Sequence, residues 1–502
     1  MALGQLTEAG LLFCRGVPPQ SAYLFKHALV QDAAYGTLLR ARRHELHARV
    51  AALLRDRFPD LVERQPELLA HHLTGAGDTE RAVDQWLKAG QFAAMRSAHA
   101  EAIAHFDRGL ALLSSLAETI QRDRREIELQ LAKGPSLLAA RGFQSPEALA
   151  TYERARSLCE KSGDAEHLFA ALWNLWLTTG IRDIDAARPL SNRLLILTER
   201  TSDTALRLEA HHSALRTDFC IGQLTPARGH CEEGQRLYDF EQHRALAHLY
   251  GGHDPGVCAW QHGGLIEWLL GYPDEALASL REAVQLAERL HHPFSISHAL
   301  HFDAVLRLFR REPERAIQRA EDAAALVAEQ RVAPILDSNI LRAAALLAQD
   351  ATEPAIASLR AGLAGRQAWV LAHQYQMALA VEVFHRAGDF EAAWGALAEA
   401  QAAGKAERWW EAEIQRLKGA LLLAQGDAEE TEHCFEQAIR IAQHQQAKSL
   451  ELRAATSLAR LWGEQGRRAE ARERLAPIYD WFTEGFDTAD LKDAAALLVQ
   501  LA

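Results

Sequence analysis

The repeating pattern of this 502-residue chain is clearest at residues 260–283, which read WQHGGLIEWLLGYPDEALASLREA. Its landmarks are Trp260, Gly264, Gly271, Ala276, Leu280 and Ala283. The second glycine is followed by Tyr-Pro-Asp, which is a turn signal. The last three landmarks stand at positions i, i+4 and i+7, which share one face of a helix. The stretch therefore predicts two helices joined by a tight turn, with small residues where the two helices approach each other.

The same helix face recurs along the chain. A small residue followed by a second residue four positions later and a third seven positions later begins at residues 102, 148, 187, 227, 276, 316, 355, 393, 431 and 471. Successive starts differ by 46, 39, 40, 49, 40, 39, 38, 38 and 40 residues, so seven of nine intervals lie within one residue of 39. In the first unit the landmarks are Trp86, Gly90, Ala102 and Phe106. A fixed period of this length indicates a repeat architecture.

This order of landmarks resembles the tetratricopeptide repeat. The resemblance implies an all-α fold, a tetratricopeptide-like α-solenoid superhelix of about ten helix hairpins over residues 76–502. Such units bury their apolar faces by stacking, which creates one continuous core and one curved surface. Residues 1–75 do not fit the repeat. They predict a short winged-helix-like remnant, with a strand near Tyr23, and connecting helices.

The composition argues against several functional classes. The chain carries 67 acidic and 55 basic residues, a net charge of −12, whereas nucleic-acid affinity comes from cationic surface. It has no run of about 18 apolar residues, so no membrane-spanning segment is predicted. The amino terminus shows no signal peptide, and the six cysteines are scattered without a Cys-x-x-Cys pair. We expect a soluble, cytoplasmic protein with reduced thiols.

The sequence lacks the motifs of several common enzyme classes. A phosphate-binding P-loop requires Gly-x4-Gly-Lys-Ser/Thr, but Gly404-Lys405 is followed by Ala406 and has no matching upstream glycine. Neither a Gly-x-Ser-x-Gly elbow nor a His-Glu-x-x-His zinc helix occurs. We therefore expect no catalytic residue and no cofactor in this chain.

Two clusters allow a functional interpretation beside a structural one. The densest set of metal-ligating residue types comprises His253, Asp254, Cys258 and His262. Because the set lacks a standard zinc spacing, we interpret it as a helix cap with packing residues, and no metal site is predicted. Trp409 and Trp410 are adjacent, and adjacent positions on a helix cannot both face the core. One of the two is therefore a candidate for an interaction surface.

Residues 25–40, FKHALVQDAAYGTLLR, resemble the winged-helix end of the ATPase module in bacterial class III adenylate/guanylate cyclase–AAA ATPase multidomain signalling proteins. Residues 252–259, 407–413, 446–455 and 481–491 resemble the tetratricopeptide array at the carboxyl end of that family. The cyclase carboxylates and the Walker motifs have no counterpart positions here. The resemblance implies that His27 contacts nucleotide phosphates when an ATPase domain is present; a packed structural histidine is the alternative.

The expected function is that of a non-catalytic regulatory arm of a signal-transduction ATPase–cyclase system. The array would bind a protein or peptide in its concave groove, with an ATPase or cyclase domain as a second partner in cis or in trans. Two alternatives stay open: a fragment of a nucleotidyl cyclase that is active only in the full-length polypeptide, and an ATPase-repeat transcription regulator. The residues predicted to dock on the ATPase domain are Leu11, Leu12, Phe13, Leu24 and Phe25.

Overall fold

The computed structural model describes residues 2–16, 21–143, 145–248, 250, 252–330, 335–365 and 372–502. The chain forms two compact units, Met1–His167 and Leu168–Ala502, called here the amino-terminal and carboxy-terminal units. This division falls inside the repeats. The domain boundary that the sequence predicts between residues 75 and 76 is a different one and stays a prediction.

The amino-terminal unit begins with a helix and a β-hairpin. Helix α1 spans Ala2–Glu8, and strand β1 (Leu12–Arg15) pairs antiparallel with β2 (Ala22–Phe25). The strand expected near residue 23 is therefore confirmed. Of the apolar residues predicted to dock on an ATPase domain, Leu12 is buried and the other four are exposed. The assignment of this segment to a winged helix stays a prediction.

Helices form the remaining described secondary structure. Four of them precede the repeats: α2 (Ala28–Gly36), α3 (Arg40–Arg57), α4 (Pro59–Arg64) and α5 (Pro66–Gly75). The next helix pairs are α6 and α7 (Thr79–Met95, His99–Leu113), α8 and α9 (Ile120–Arg141, Pro146–Ser162), α10 and α11 (Ala165–Gly180, Ile184–Thr198), and α12 and α13 (Thr204–Ile221, Leu224–Leu237).

After the short helix α14 (Phe240–His243), six further pairs follow. They are α15 and α16 (Pro255–Leu270, Pro273–Leu290), α17 and α18 (Pro293–Phe309, Pro313–Gln330), α19 and α20 (Ser338–Ala348, Thr352–Ala364), α21 and α22 (His373–Arg386, Phe390–Ala402), α23 and α24 (Glu411–Ala424, Ala428–Gln445), and α25 and α26 (Lys448–Glu464, Arg468–Tyr479). Helix α27 (Ala489–Gln500) packs on the last pair. The predicted fold class, an all-α tetratricopeptide-like solenoid, is confirmed.

The hairpins close on the small residues of the sequence pattern. The ten residues that begin the pattern lie on the second helices of the ten hairpins, and all ten are fully buried. Glycines on first helices leave room for the large residue of the partner, as Gly264 does for Leu280 and Gly419 for Phe435. A Cβ atom at Gly419 would lie 2.7 Å from the Phe435 ring. Burial of each such large side chain stabilises the hairpin by about 1.5–3 kcal/mol.

The turn between α15 and α16 follows from two residues of the motif. Gly271 caps α15 with a φ of +101°, a left-handed conformation that side-chain-bearing residues rarely adopt, and its N–H donates to the Trp268 carbonyl at 3.0 Å. Pro273 occupies the first turn of α16, where its missing N–H costs no hydrogen bond. The predicted turn is confirmed.

Helices far apart in sequence meet within the carboxy-terminal unit. The Ser449 hydroxyl on α25 donates to the Trp268 carbonyl on α15 at 2.5 Å, and the Arg453 guanidinium donates to the Phe309 carbonyl on α17 at 3.0 Å. The fifth and sixth hairpins therefore contact the tenth hairpin directly. In the described part of the chain, no helix is long and apolar enough to cross a membrane.

Candidate functional site

A cavity of about 650 Å³ lies within the carboxy-terminal unit. Its lining comes mainly from the first helices of successive hairpins, α17, α19, α21, α23 and α25, together with α27. Each first helix turns its small residues toward its own second helix, so its opposite face is free to line this space. The repeat pattern thus places one set of side chains in the core and another in the cavity.

Aromatic side chains form one wall of the cavity. The rings of Phe309 and Trp410 stack with centroids 4.9 Å apart and an interplanar angle of 10°, and Tyr375 meets Trp410 edge-on at 5.3 Å. Burial raises the pKa of the Tyr375 hydroxyl, which has no hydrogen-bond partner among the described residues. An aromatic wall with a free hydroxyl can contact both apolar and polar parts of a ligand.

The expectation that Trp409 or Trp410 is exposed on the surface is wrong. Both are buried, at 2% and 3% exposure, because they lie in the turn before α23 and not within a helix. Their side chains can therefore diverge: Trp409 stacks on Phe219 of α12 at 4.9 Å, whereas Trp410 stacks on Phe309 of α17. The two indoles line cavities inside the unit instead of an outer face.

Ion pairs line another part of the same cavity. The Arg416 guanidinium lies 2.7 Å from the Glu413 carboxylate, and Arg453 lies 2.7 Å from Asp490. Burial alone would raise the pKa of Glu413, but the guanidinium of Arg416 holds that pKa below its usual value. Removing two charges from water costs several kcal/mol per ion, and the attraction between the paired charges offsets only part of this cost. Apolar residues at the same positions would therefore stabilise the protein as well as these ion pairs, or better. Charge at this position therefore suits recognition of a polar ligand.

A second, smaller cavity of about 40 Å³ adjoins the first, and Tyr375 lines both. Its other lining residues include Arg216, Phe219, His262, Phe302, Glu407 and Trp409. Burial lowers the pKa of His262 to about 3, so this imidazole is neutral near pH 7. The cavity has room for one or two water molecules or for a group of similar size, such as a carboxylate.

Arg216 is the unusual residue of the smaller cavity. It lies on α12 with 9% exposure, and it faces the Trp176 ring with the guanidinium carbon 6.0 Å from the ring centroid. Within the described ranges it has no hydrogen bond and no ion pair. Burial raises the pKa of the nearby Glu407, and the charge of Arg216 acts in the opposite direction and lowers it, but no hydrogen bond joins the two groups. A bound anion could accept the hydrogen bonds that Glu407 does not.

The nearby Glu407 carboxylate is already occupied. Its Oε1 accepts from the Gln374 backbone N–H at 2.7 Å, and its Oε2 accepts from the Trp409 indole N–H at 3.0 Å. Burial raises the pKa of Glu407. This carboxylate therefore positions the Trp409 ring and the start of α21, and it leaves the guanidinium of Arg216 available to a ligand.

The repeat landmarks predicted from the sequence are packing residues and lie outside both cavities. Ala276, Leu280 and Ala283 are buried between α15 and α16, and Trp260 on α15 is partly exposed. Gly90 lies against the ring of Phe106, and the buried Trp86 and Ala102 complete the first hairpin. His27 is exposed just before α2, and its role toward a nucleotide stays a prediction.

The cluster around residue 254 combines a cap with an unexpected neighbour. Asp254 caps α15 by accepting from the Val257 N–H at 2.9 Å, as predicted, and His262 contacts the Cys258 carbonyl oxygen through Nδ1 at 3.0 Å. The structure adds His212 of α12, whose Nε2 lies 3.1 Å from Nε2 of His253. No local spacing in the sequence could have indicated this approach, since 41 residues separate the two histidines.

Sequence reasoning also missed the residues of the two cavities. The sequence does show charged residues on the first helices of hairpins. On α23, for example, Glu413 and Arg416 are three positions apart and therefore share one face of the helix. That signal marks a polar helix face but does not show that the face is enclosed, because enclosure depends on helices from other repeats.

No family model matches the chain. An uncharacterized protein of Rhizobium meliloti (strain 1021) is 28% identical over 316 residues, which are 62% of this chain and 30% of that protein. The match thus covers less than a third of the relative's own length.

Several solved structures are similar in fold. A Rap protein complexed with competence and sporulation factor is 11% identical, with a TM-score of 0.40 over 84% of this chain and 100% of that chain. The Rap conjugation gene regulator of the plasmid pLS20 in complex with the Phr* peptide is 13% identical, with a TM-score of 0.45 over 72% and 96%.

Proposed function

We propose that this chain is a non-catalytic binding protein that holds an extended peptide, or a peptide-like segment of a protein, in the two adjoining cavities of the carboxy-terminal unit. The observation that carries the proposal is the Arg216 guanidinium in the smaller cavity, which has no hydrogen bond or ion pair within the described ranges and lies beside the aromatic rings of Phe219 and Trp409. A carboxylate of the ligand would pair with this guanidinium, because a buried cation gains most from an ionised, hydrogen-bonded partner.

The larger cavity fits the remainder of such a ligand. Its volume of about 650 Å³ is within the usual range for ligand sites and accommodates several residues of extended chain. Apolar side chains of the ligand would contact Phe309 and Trp410, and its backbone would find donors and acceptors among the paired charges near Arg416. Tyr375, which lines both cavities, would contact the segment that connects the two parts.

We also propose, from the sequence resemblance alone, that ligand binding regulates an ATPase–cyclase system to which the array belongs or binds. The residues that support this part are 25–40 and the four array stretches quoted above. In this setting the exposed apolar face of the β-hairpin would contact the ATPase domain.

The binding proposal is tested with a random octapeptide library presented to the full-length chain. We expect enrichment of peptides with a free terminal carboxylate or an acidic side chain next to an apolar residue. Loss of a charge-assisted hydrogen bond to a buried guanidinium costs about 1.5–3 kcal/mol, so Arg216→Gln should weaken the best peptide about 10- to 100-fold in a fluorescence-polarisation titration.

The matched control is Arg281→Gln, which makes the same substitution at an exposed position on the second helix α16. It should leave the dissociation constant unchanged. An amidated or Asn-substituted version of the peptide should bind the wild type as weakly as the acidic peptide binds Arg216→Gln. Equal affinity of wild type and Arg216→Gln for the acidic peptide would refute the assignment of this residue.

A further inference from the structure

Three metal-ligating side chains converge in the interior of the carboxy-terminal unit. His212 lies on α12, His253 lies just before α15, and Cys258 lies in the first turn of α15. One ligand atom from each, the nitrogens of both histidines and Sγ of the cysteine, lie within 4.8 Å of one another. A tetrahedral zinc ion with ordinary bond lengths holds two nitrogens about 3.3 Å apart, and a nitrogen and a sulfur about 3.6 Å apart. Small side-chain rotations would bring the three atoms to these separations.

The Glu209 carboxylate supports His212 from behind. Its Oε2 lies 3.0 Å from Nδ1 of His212. In a metal-bound state it would accept the N–H of that nitrogen, which leaves Nε2, 3.1 Å from Nε2 of His253, to bind the ion. A carboxylate that orients a ligating histidine through the other ring nitrogen is a common feature of zinc sites. Burial raises the pKa of Glu209 well above its usual value, and a divalent ion held by His212 would favour the ionised form of this carboxyl group.

The surroundings allow an ion to enter and to complete its coordination. His212 and Cys258 are almost fully buried, whereas His253 is partly exposed and gives a route from solvent. Gln261 lies one helical turn after Cys258, and its buried side-chain carbonyl oxygen has no hydrogen-bond partner in the part of the chain that the structure describes. The Nε2 atom of the same side chain lies 3.6 Å from Sγ of Cys258, where it would donate to the thiolate, and a water molecule bound to the metal would be a donor for the oxygen.

We propose that His212, His253 and Cys258 bind one zinc-class divalent transition-metal ion, with a water molecule in the fourth position. On binding, the Cys258 thiol releases its proton to solvent as the metal–sulfur bond forms. The ion would join α12 to α15 across two consecutive hairpins. It would lie near the ligand cavity, because Arg216 follows His212 by one turn of α12.

The test uses the full chain, purified with a chelator and then titrated with Co²⁺ and, separately, with Zn²⁺. We expect one Co²⁺ per chain, with the near-ultraviolet charge-transfer band of a cobalt–thiolate bond and visible bands of tetrahedral cobalt. Zn²⁺ should displace the cobalt and abolish both sets of bands, and elemental analysis should then find one zinc per chain.

The variants separate a metal site from a chain of hydrogen-bonded histidines. Cys258→Ser should lose the charge-transfer band, and His253→Asn, at the partly exposed position, should weaken Co²⁺ binding at least tenfold. The controls are Cys434→Ser, at another buried cysteine, and His211→Asn, at the neighbouring position of α12; both should bind like the wild type. Absence of a stoichiometric thiolate band in the wild type, or a band that survives in folded Cys258→Ser, would overturn the proposal.

Discussion

Several histidines of this protein are buried, and burial lowers their pKa so that they are neutral near pH 7. His301 is the simplest example. Its Nδ1 lies 2.9 Å from the Ser297 carbonyl oxygen and donates to it, and its Nε2 lies 3.1 Å from the Ser338 hydroxyl. The ring is fully buried on α17, and burial lowers its pKa to about 4. The unfolded chain, in which a histidine titrates near 6.5, binds a proton more readily than the folded chain.

Acid should therefore destabilise the carboxy-terminal unit through His301. The contribution of this residue to the free energy of unfolding is complete above pH 6.5 and is lost as the pH falls from 6.5 toward 4. By linkage, the loss at pH 4.5 amounts to about 2–3 kcal/mol. His301→Gln should lose that much less stability than the wild type between pH 7.5 and pH 4.5 in urea unfolding followed by circular dichroism. His444→Gln, at an exposed position on α24, should behave like the wild type. An equal pH dependence of wild type and His301→Gln would contradict this account.

At the scale of the helix pair, the glycine of the first helix decides how closely the two helices pack. A Cβ atom at Gly264 would collide with the Leu280 side chain and lie 2.9 Å from the Ala276 carbonyl oxygen. The backbone atom cannot move without shifting α16, so the position excludes larger residues. Gly395 on α22, by contrast, has open space where a Cβ atom would be.

Gly264→Leu should destabilise the fifth hairpin by at least the cost of overpacking, about 1–3 kcal/mol. Hydrogen exchange of α15 and α16 should accelerate accordingly. Gly395→Leu is the matched control, and it should be neutral or slightly stabilising, because leucine favours a helix by up to about 1 kcal/mol over glycine. Slower or unchanged exchange across α15 and α16 in Gly264→Leu would show that the two helices do not meet at this residue.

The helix pairs could be predicted from the sequence because their contacts repeat. Each closing residue recurs about every 39 positions, so Ala276 and its equivalents identify themselves without any knowledge of distant contacts. The burial of both Trp409 and Trp410 could not be predicted, since it depends on α23 beginning at Glu411 and on rings supplied by α12 and α17. The same holds for Arg216, because the absence of a hydrogen bond to its guanidinium among the described residues is a property of the assembled cavity.

At the scale of the carboxy-terminal unit, side chains connect hairpins that are not neighbours in sequence. Arg453 on α25 pairs with Asp490 and also donates to the Phe309 carbonyl on α17, four hairpins earlier. Its guanidinium carbon additionally lies 4.8 Å from the centroid of the Trp268 ring. Loss of this side chain affects helices that are distant in sequence.

Arg453→Met should cost about 1.5–3 kcal/mol, because it removes the hydrogen bonds from the guanidinium to Asp490 and to the Phe309 carbonyl, although the Arg311 guanidinium, 2.9 Å from Asp490, still pairs with that carboxylate. Hydrogen exchange should rise in α17 as well as in α25 and α27. Arg467→Met is the matched control. Arg467 pairs with Glu432 of the preceding hairpin and with Glu470 of its own hairpin, so it contacts no distant helix through these pairs. Its effect should stay within α24–α26. An Arg453→Met variant with unchanged exchange in α17 would mean that the distant contact contributes nothing to stability.

The contact between α25 and α15 restricts how the number of hairpins in this protein can change during evolution. In an open repeat array, unequal recombination can add or remove one unit, since every unit needs only the two beside it. An extra hairpin of about 39 residues between α18 and α19 would carry Ser449 away from the Trp268 carbonyl and separate Arg453 from Phe309. Descendants of this chain are therefore expected to keep the number of hairpins between α15 and α25 constant, and to vary in length at loops instead.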